Sequence, residues 1–229
     1  MKCKVILLAT SLFICINSKA QITAQDDLGA WYMYFFNGKL NEKWGVQGDV
    51  QYRNFNFGGD LEQLLIRGGV YFKPENTNVL LTLGVANITT GTIGENDETF
   101  NENRIYQEAL IPQKIGRFHF SHRFRFEQRF VENQDFRTRY RYNLFLNIPL
   151  NKKTIEPKTI YLALYNEIFI NGERNIGSNR TVPIFDRNRL YAGMGYQLNT
   201  SLRMQFGFMN QSLENIGKNQ LQISLHHNF

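Results

Sequence analysis

The sequence predicts an all-β chain, a transmembrane antiparallel up-and-down β-barrel of about ten to twelve strands. Three observations carry this expectation. The first is residues 117–130, RFHFSHRFRFEQRF. Arg117, His119, Ser121, Arg123, Arg125, Glu127 and Arg129 fall on one side, and Phe118, Phe120, His122, Phe124, Phe126, Gln128 and Phe130 on the other. Strand side chains point to opposite faces with a period of two residues, so this strand has a charged face and an aromatic face. The second is that the pattern recurs along the chain, with no capped helical segment left to cover the apolar faces. A soluble sheet hides its apolar face in a core. A closed barrel in a membrane instead turns that face to lipid and the charged face to the lumen. The third is an export signal at the start.

That signal is MKCKVILLATSLFICINSKA. Lys2 and Lys4 form a basic start, residues 5–16 form an apolar run too short to span a bilayer, and Ser18 and Ala20 are small residues at the cleavage-determining positions. Residues 1–20 are expected to be a signal peptide and residues 21–229 one barrel domain. Ile14, before Cys15, is too large for a lipoprotein signal. Both cysteines, Cys3 and Cys15, leave with the signal, so the mature chain has neither disulfides nor thiolate metal sites. Losing Lys2, Lys4 and Lys19 lowers the formal net charge from +6 to +3, which argues against a nucleic-acid partner. No later stretch is apolar enough for a membrane helix.

Strands are expected at residues 28–36, 44–53, 62–72, 79–89, 103–111, 117–130, 136–148, 159–170, 185–198, 202–209 and 220–229. Each alternates, and turn-forming clusters such as Asn37-Gly38-Lys39-Leu40-Asn41 and Lys73-Pro74-Glu75-Asn76-Thr77 separate them. Residues 90–102 and 171–184 read as long loops, and residues 113–116 as a short turn. Connections alternate short and long, as periplasmic turns and outer loops do in outer-membrane barrels. The last strand stops on an aromatic, Phe229, the kind of ending that barrel assembly machinery recognises. The expected surroundings are therefore the outer membrane of a Gram-negative bacterium, with lipid and that machinery as partners. The count is awkward, because bacterial single-chain barrels have even strand numbers. Either residues 21–27 thread back through the lumen, or one strand has been merged or missed.

Several pieces resemble a known family: Leu28-Gly29-Ala30-Trp31, Leu40-Asn41-Glu42-Lys43-Trp44, Asn103-Arg104-Ile105-Tyr106-Gln107-Glu108, residues 122–130 (HRFRFEQRF), and Phe185-Asp186-Arg187-Asn188-Arg189-Leu190. Together they resemble the bacterial domain of unknown function 2490, a family of outer-membrane barrels, across nearly the whole mature chain. The resemblance implies the fold and the location. It brings no catalytic residues and no cofactor.

The inward face is rich in arginine: Arg53, Arg67, Arg104, Arg117, Arg123, Arg125, Arg129, Arg137, Arg139, Arg141, Arg187, Arg189 and Arg203, against Asp49, Glu108, Glu127 and Glu167. Opposed strands bring such side chains within pairing distance. Two readings follow. The lumen is a filled core of Arg–carboxylate and Arg–Tyr contacts, a role suited to arginine's planar fork. Or it is a basic path or binding barrel for small anionic solutes. A sealed barrel presenting its outer loops is the alternative function. A lipid-modifying hydrolase is a third, resting on His119 and Ser121, a base and a nucleophile two apart on one face. The inward phase of that pair argues against it, since a lipid substrate lies outside, and no enzymatic activity is expected. His226 and His227 are adjacent and point to opposite faces, so they share no metal. Glu95, Asp97 and Glu98 read as a solvated loop.

The signal carries a direct test. Intact mass spectrometry of protein extracted from membranes is expected to give a chain beginning at Gln21. A mass that retains residues 1–20 would contradict the export reading.

Overall fold

A computed structural model describes residues 28–92, 98–213 and 217–229. The expected signal peptide, residues 21–27, Glu95 and Asp97 lie outside the described residues. The strands are β1 (Gly29–Lys39), β2 (Trp44–Asn54), β3 (Leu61–Phe72), β4 (Leu80–Gly91), β5 (Thr99–Ile115), β6 (Phe118–Val131), β7 (Arg137–Pro149), β8 (Ile160–Asn171), β9 (Phe185–Gln197), β10 (Leu202–Ser212) and β11 (Gly217–Asn228). They form one closed barrel in which each strand lies beside its sequence neighbours and β1 meets β11.

Among the described residues the count is odd, and no expected strand is merged or missing. Each connection reverses the chain, so the first and last of eleven strands run the same way. The barrel therefore closes on a parallel pair, from Gly29 opposite Gln220 to Asn37 opposite Asn228. Every other pair is antiparallel. An open edge would leave a row of unpaired N–H and C=O groups, and the seam removes it. At its far end the Phe229 amide donates to Asn37 O (2.9 Å) and the Lys39 amide to Phe229 O (2.8 Å). β1 therefore starts at the end opposite Phe229.

The strands outrun their expected limits at several places, β1 running on through Asn37, Gly38 and Lys39 of the expected turn cluster. β5 begins at Thr99 rather than 103 and continues through Pro112 to Ile115. Pro112 stands past the last residue of β5 that pairs with β4, Leu110, so its missing N–H interrupts no ladder there. The turn expected at 113–116 shrinks to Gly116-Arg117, with Gly116 at φ +59°, a conformation glycine adopts without strain. β10 and β11 extend to Ser212 and from Gly217, which shortens the loop between them. The short–long alternation is correspondingly partial. Residues 150–159 form a long connection at the turn end, braced by Asn151 Oδ1 accepting from the Ile160 amide (2.8 Å).

The alternation itself holds. Outside, Ile66, Val70, Leu83, Val85, Leu190 and Met194 are exposed in the middle of the wall. Trp44, Phe118, Tyr196 and Phe229 are exposed at the turn end, and Tyr52, Phe100, Phe130, Phe136 and Phe185 at the loop end. The core is the lumen. One side of it, from β8 round to β1, carries the buried cluster Trp31, Tyr161, Ala163, Tyr191 and Met209. Small residues make room for these rings: a Cβ on Gly195 would strike the Tyr161 ring, as one on Gly84 would strike Tyr106. The rest of the lumen is lined by charge.

The seam can be tested by cross-linking, because the barrel strands contain no cysteine, the two in the chain being Cys3 and Cys15. Tyr34 faces Leu225 across β1–β11 and Val50 across β1–β2. A short bifunctional thiol reagent is expected to bridge both Tyr34→Cys/Leu225→Cys and Tyr34→Cys/Val50→Cys. Bridging of the second pair alone would rule out closure through β1 and β11.

Candidate functional site

Period two on β2–β9 delivers the inward arginines, and the register stacks them in rows. Arg129 faces Arg104 and Arg137, Glu127 faces Arg139, Arg125 faces Glu108 and Arg141, and Glu167 faces Arg189. Like charges directly opposed across a ladder repel. Several carboxylates offset this by serving more than one arginine. Glu127, 1% exposed, accepts from Arg141 Nη1 (2.6 Å) and Arg104 Nη1 (3.2 Å). Glu167 accepts from Arg123 Nη2 (2.7 Å) and from Arg141 Nη2 and Nε (2.6 and 3.0 Å). Glu108 holds Arg125 through Nε (2.7 Å) and Nη2 (2.5 Å). Glu102 takes Arg104 (2.7 and 2.9 Å) and Arg129 (2.5 and 2.9 Å) in two forks. Asp49 takes Arg67 in another, through Nε and Nη2 at 2.9 Å each. Such bidentate, charge-assisted bonds fix geometry as well as supplying energy.

Across the lumen the guanidinium planes meet aromatic faces. Arg141 and Arg189 lie 4.5 and 4.8 Å from the centre of the Phe169 ring, and Arg125 lies 4.4 Å from Tyr106. Arg53 and Arg189 lie 3.8 and 4.8 Å from Trp31. Cation–π contacts gain most where they are desolvated, as here.

Some buried polar atoms are nonetheless left without a partner, donors and acceptors alike. Among the described residues Arg123 Nε, Arg125 Nη1, Arg129 Nη1, Arg137 Nε and Arg203 Nε are buried without an acceptor, and Asn143 Oδ1 and Gln220 Oε1 without a donor. Among the described residues Arg137 has neither a hydrogen bond nor an ion pair, although it is buried.

With the geometry in view, a family model described as "Protein of unknown function (DUF2490)" matches residues 28–222. The chain belongs to this family. No curated protein and no solved structure matches it.

In this DUF2490 barrel the expected lumen residues Arg67, Arg104, Glu108, Arg123, Arg125, Glu127, Arg129, Arg137, Arg139, Arg141, Glu167, Arg187 and Arg189 do face inward. Arg187 sits at the loop-end rim on Asp186 (2.7 Å). Arg117 does not line the lumen. The two-residue turn takes it out of the strand, and its Nη2 donates to Pro149 O (2.9 Å) and Lys152 O (3.1 Å). Three carboxylates escaped the sequence reading. Glu102 lay in an expected loop that is strand. Asp186 and Glu62 are out of phase with their inward neighbours, and β-bulges bring them in. The register shifts so that Phe169 faces Arg187 and Ile170 faces Phe185, with Asp186 extra. Likewise Arg53 faces Gln63 and Asn54 faces Leu61, with Glu62 extra. A bulge sets two residues against one and re-aims a side chain. Asp186 thereby reaches Arg139 Nη2 (3.3 Å), and Glu62 accepts from Trp31 Nε1 (3.2 Å). Phase alone would have found Phe169.

His119 and Ser121 share the inward face but do not bond to each other, and His119 Nε2 has no partner among the described residues. A serine–histidine contact does form elsewhere, between Ser224 Oγ and His226 Nε2 (3.0 Å), with Phe35 stacked on the imidazole.

Removing Glu127 takes one of two carboxylate partners from each of Arg104 and Arg141. Glu127→Ala is expected to cost about 3–5 kcal/mol, read as a lower urea midpoint for the refolded barrel. Glu42→Ala, which deletes an exposed turn partner of Lys39, is expected to leave the midpoint unmoved. Equal midpoints for the two variants would mean that the lumen pairs are solvated.

Proposed function

We propose that this DUF2490 protein is an outer-membrane β-barrel whose filled, arginine-rich lumen holds small anionic solutes and has no open water column. The observation that carries the reading is a charge imbalance. Nine arginines are buried against five carboxylates: Arg53, Arg67, Arg104, Arg125, Arg129, Arg137, Arg139, Arg141 and Arg189 against Asp49, Glu102, Glu108, Glu127 and Glu167. The partly buried groups do not redress it, since Lys73, Arg123, Lys152, Arg187, Arg203 and Lys218 are set against Glu62, Glu173 and Asp186. An uncompensated buried charge is strongly unfavourable, so the surplus calls for anions from outside the chain.

The membrane half of the proposal rests on the outer face. Its aliphatic middle and aromatic ends match a lipid-facing band with aromatic girdles, and an apolar face of that extent in water would be an aggregation hazard. Outward asparagines pair across strands toward the loop end, Asn87 with Asn103 and Asn210 with Asn219 (both 2.9 Å). They satisfy one another where the band gives way to polar surface. The signal peptide expected at residues 1–20 supports the same location.

Holding is favoured over passage by burial at mid-lumen. Glu127, Asn143 and Glu167 are 1%, 2% and 3% exposed. A second reading, a sealed barrel that works through its loops, is favoured by the structured loop at 172–184. Its Ile176 is buried and accepts from the Asp135 amide (3.0 Å), and its Arg180 donates to Asn133 O (2.5 Å).

Two measurements on the refolded protein separate these readings. Planar bilayers are expected to show no steady open-pore current. At constant ionic strength, exchanging chloride for phosphate or a dicarboxylate is expected to raise the unfolding midpoint, a stabilisation of about 2.7 kcal/mol at a hundredfold excess over Kd. A silent barrel with no anion-dependent stabilisation would favour the sealed reading. A steady wild-type current would refute a filled lumen.

A further inference from the structure

Two lumen arginines differ from the rest in what they bond. Arg53 on β2 donates from Nε and Nη2 to Gln51 Oε1 (3.1 and 2.6 Å) and from Nη1 to Gln63 Oε1 (2.7 Å). Arg189 on β9 donates from Nε to Gln211 Oε1 (2.8 Å). Every acceptor is a neutral amide. Neither guanidinium has a carboxylate within ion-pair distance among the described residues, whereas Arg67, Arg104, Arg125, Arg129, Arg139 and Arg141 each have one. The two nearest candidates are already engaged. Glu167 faces Arg189 in register, but its Oε1 takes Arg123 and Arg141. Glu62 accepts from Trp31 and Gln220 and lies 3.6 Å from Lys218 Nζ.

Both cations converge on one indole. Arg53 is 3.8 Å and Arg189 4.8 Å from the Trp31 ring centre, and both side chains are more than nine-tenths buried. The aromatic face and the amide dipoles offset part of the desolvation but supply no counter-charge. A third donor stands beside them. Gln222 faces Trp31 across the β1–β11 seam, and its buried Nε2 has no acceptor, while its Oε1 accepts from the Tyr165 hydroxyl (3.0 Å).

From this arrangement we infer that Arg53 and Arg189, with Gln222 beside them, form an oxyanion-binding site around Trp31. The inference rests on the anion-holding reading above and assigns it a place. Among the described residues only Nε of Arg189 is engaged through a hydrogen bond, so its Nη1/Nη2 edge is left for the ligand. A planar fork of N–H groups suits the paired oxygens of a carboxylate or phosphate better than a spherical halide. Glutamines at positions 51, 63 and 211 hold the guanidiniums in place without neutralising them, as a site that must receive an anion requires.

Trp31 is a built-in reporter. The chain has two tryptophans, and the other, Trp44, is exposed on the outer face at the turn end. The Trp44→Phe protein, refolded and checked by its heat-modifiable gel mobility, is titrated with inorganic phosphate against chloride at constant ionic strength. A dicarboxylate is run as a second arm. A saturable change in Trp31 emission is expected with at least one of the two, and the tighter arm assigns the chemistry. Adding Arg189→Gln is expected to weaken that binding about tenfold, the loss of one charge-assisted bond. No saturable response in either arm would overturn the site, and so would equal affinity in the Arg189→Gln protein. If phosphate raises the unfolding midpoint while Trp31 stays silent, the anion-holding reading stands and this location for it fails. Should the Arg189 variant not refold, the Trp44→Phe titration decides alone: saturation supports the site, and its absence overturns it.

Discussion

A guanidinium enclosed by a sheet needs an acceptor, and Glu127 supplies one to Arg104 and Arg141 together. The arrangement of the lumen follows from that constraint. Arg141 continues from Glu127 on β6 to Glu167 on β8, and Arg123 reaches the same Glu167. Arg104 continues to Glu102, which also holds Arg129. Four strands, β5 to β8, are thereby tied across their inner face by shared carboxylates. The net energy of such ties against well-packed apolar residues is near zero. Their larger effect is on register. A slip of one residue would turn the arginines to the apolar exterior and the phenylalanines inward, and no carboxylate outside would receive them.

Much of this was legible in the sequence, because a strand has only two faces. Once the phase of residues 117–130 was set by its phenylalanines, Arg123, Arg125, Glu127 and Arg129 had to share a side. What was not legible is what breaks the period. Asp186 and Glu62 enter through bulges, which alternation alone cannot reveal. Glu102 was hidden because a polar strand end looks like a loop. Arg117 was misplaced because one glycine, Gly116, allows a tighter turn than its neighbours implied. The parallel seam had its signal in the odd count. The sequence offers no cue that closure would be made by pairing β1 directly on β11 rather than by a further strand.

The inner surface divides by chemistry as well as by phase. From β8 round to β1, glycines and tyrosines interlock around Trp31, and the glutamines Gln211, Gln220 and Gln222 share this wall. The arginines lean on that wall: Arg53 and Arg189 on Trp31, Arg141 and Arg189 on Phe169. Where carboxylates are at hand the arginines are neutralised. Where the partners are glutamines they are only positioned. That difference separates a structural ion pair from a place where an external anion completes the lumen.

The central claim is that these charges meet in a dry, fixed interior and not in a hydrated pore. A double-mutant cycle on Glu127 and Arg141, using Glu127→Ala, Arg141→Ala and the pair in reversible unfolding of the refolded barrel, measures this most directly. A coupling energy of about 2 kcal/mol or more is predicted, as for close charge pairs excluded from water. A coupling below about 1 kcal/mol, the range of solvated surface pairs, would contradict the account.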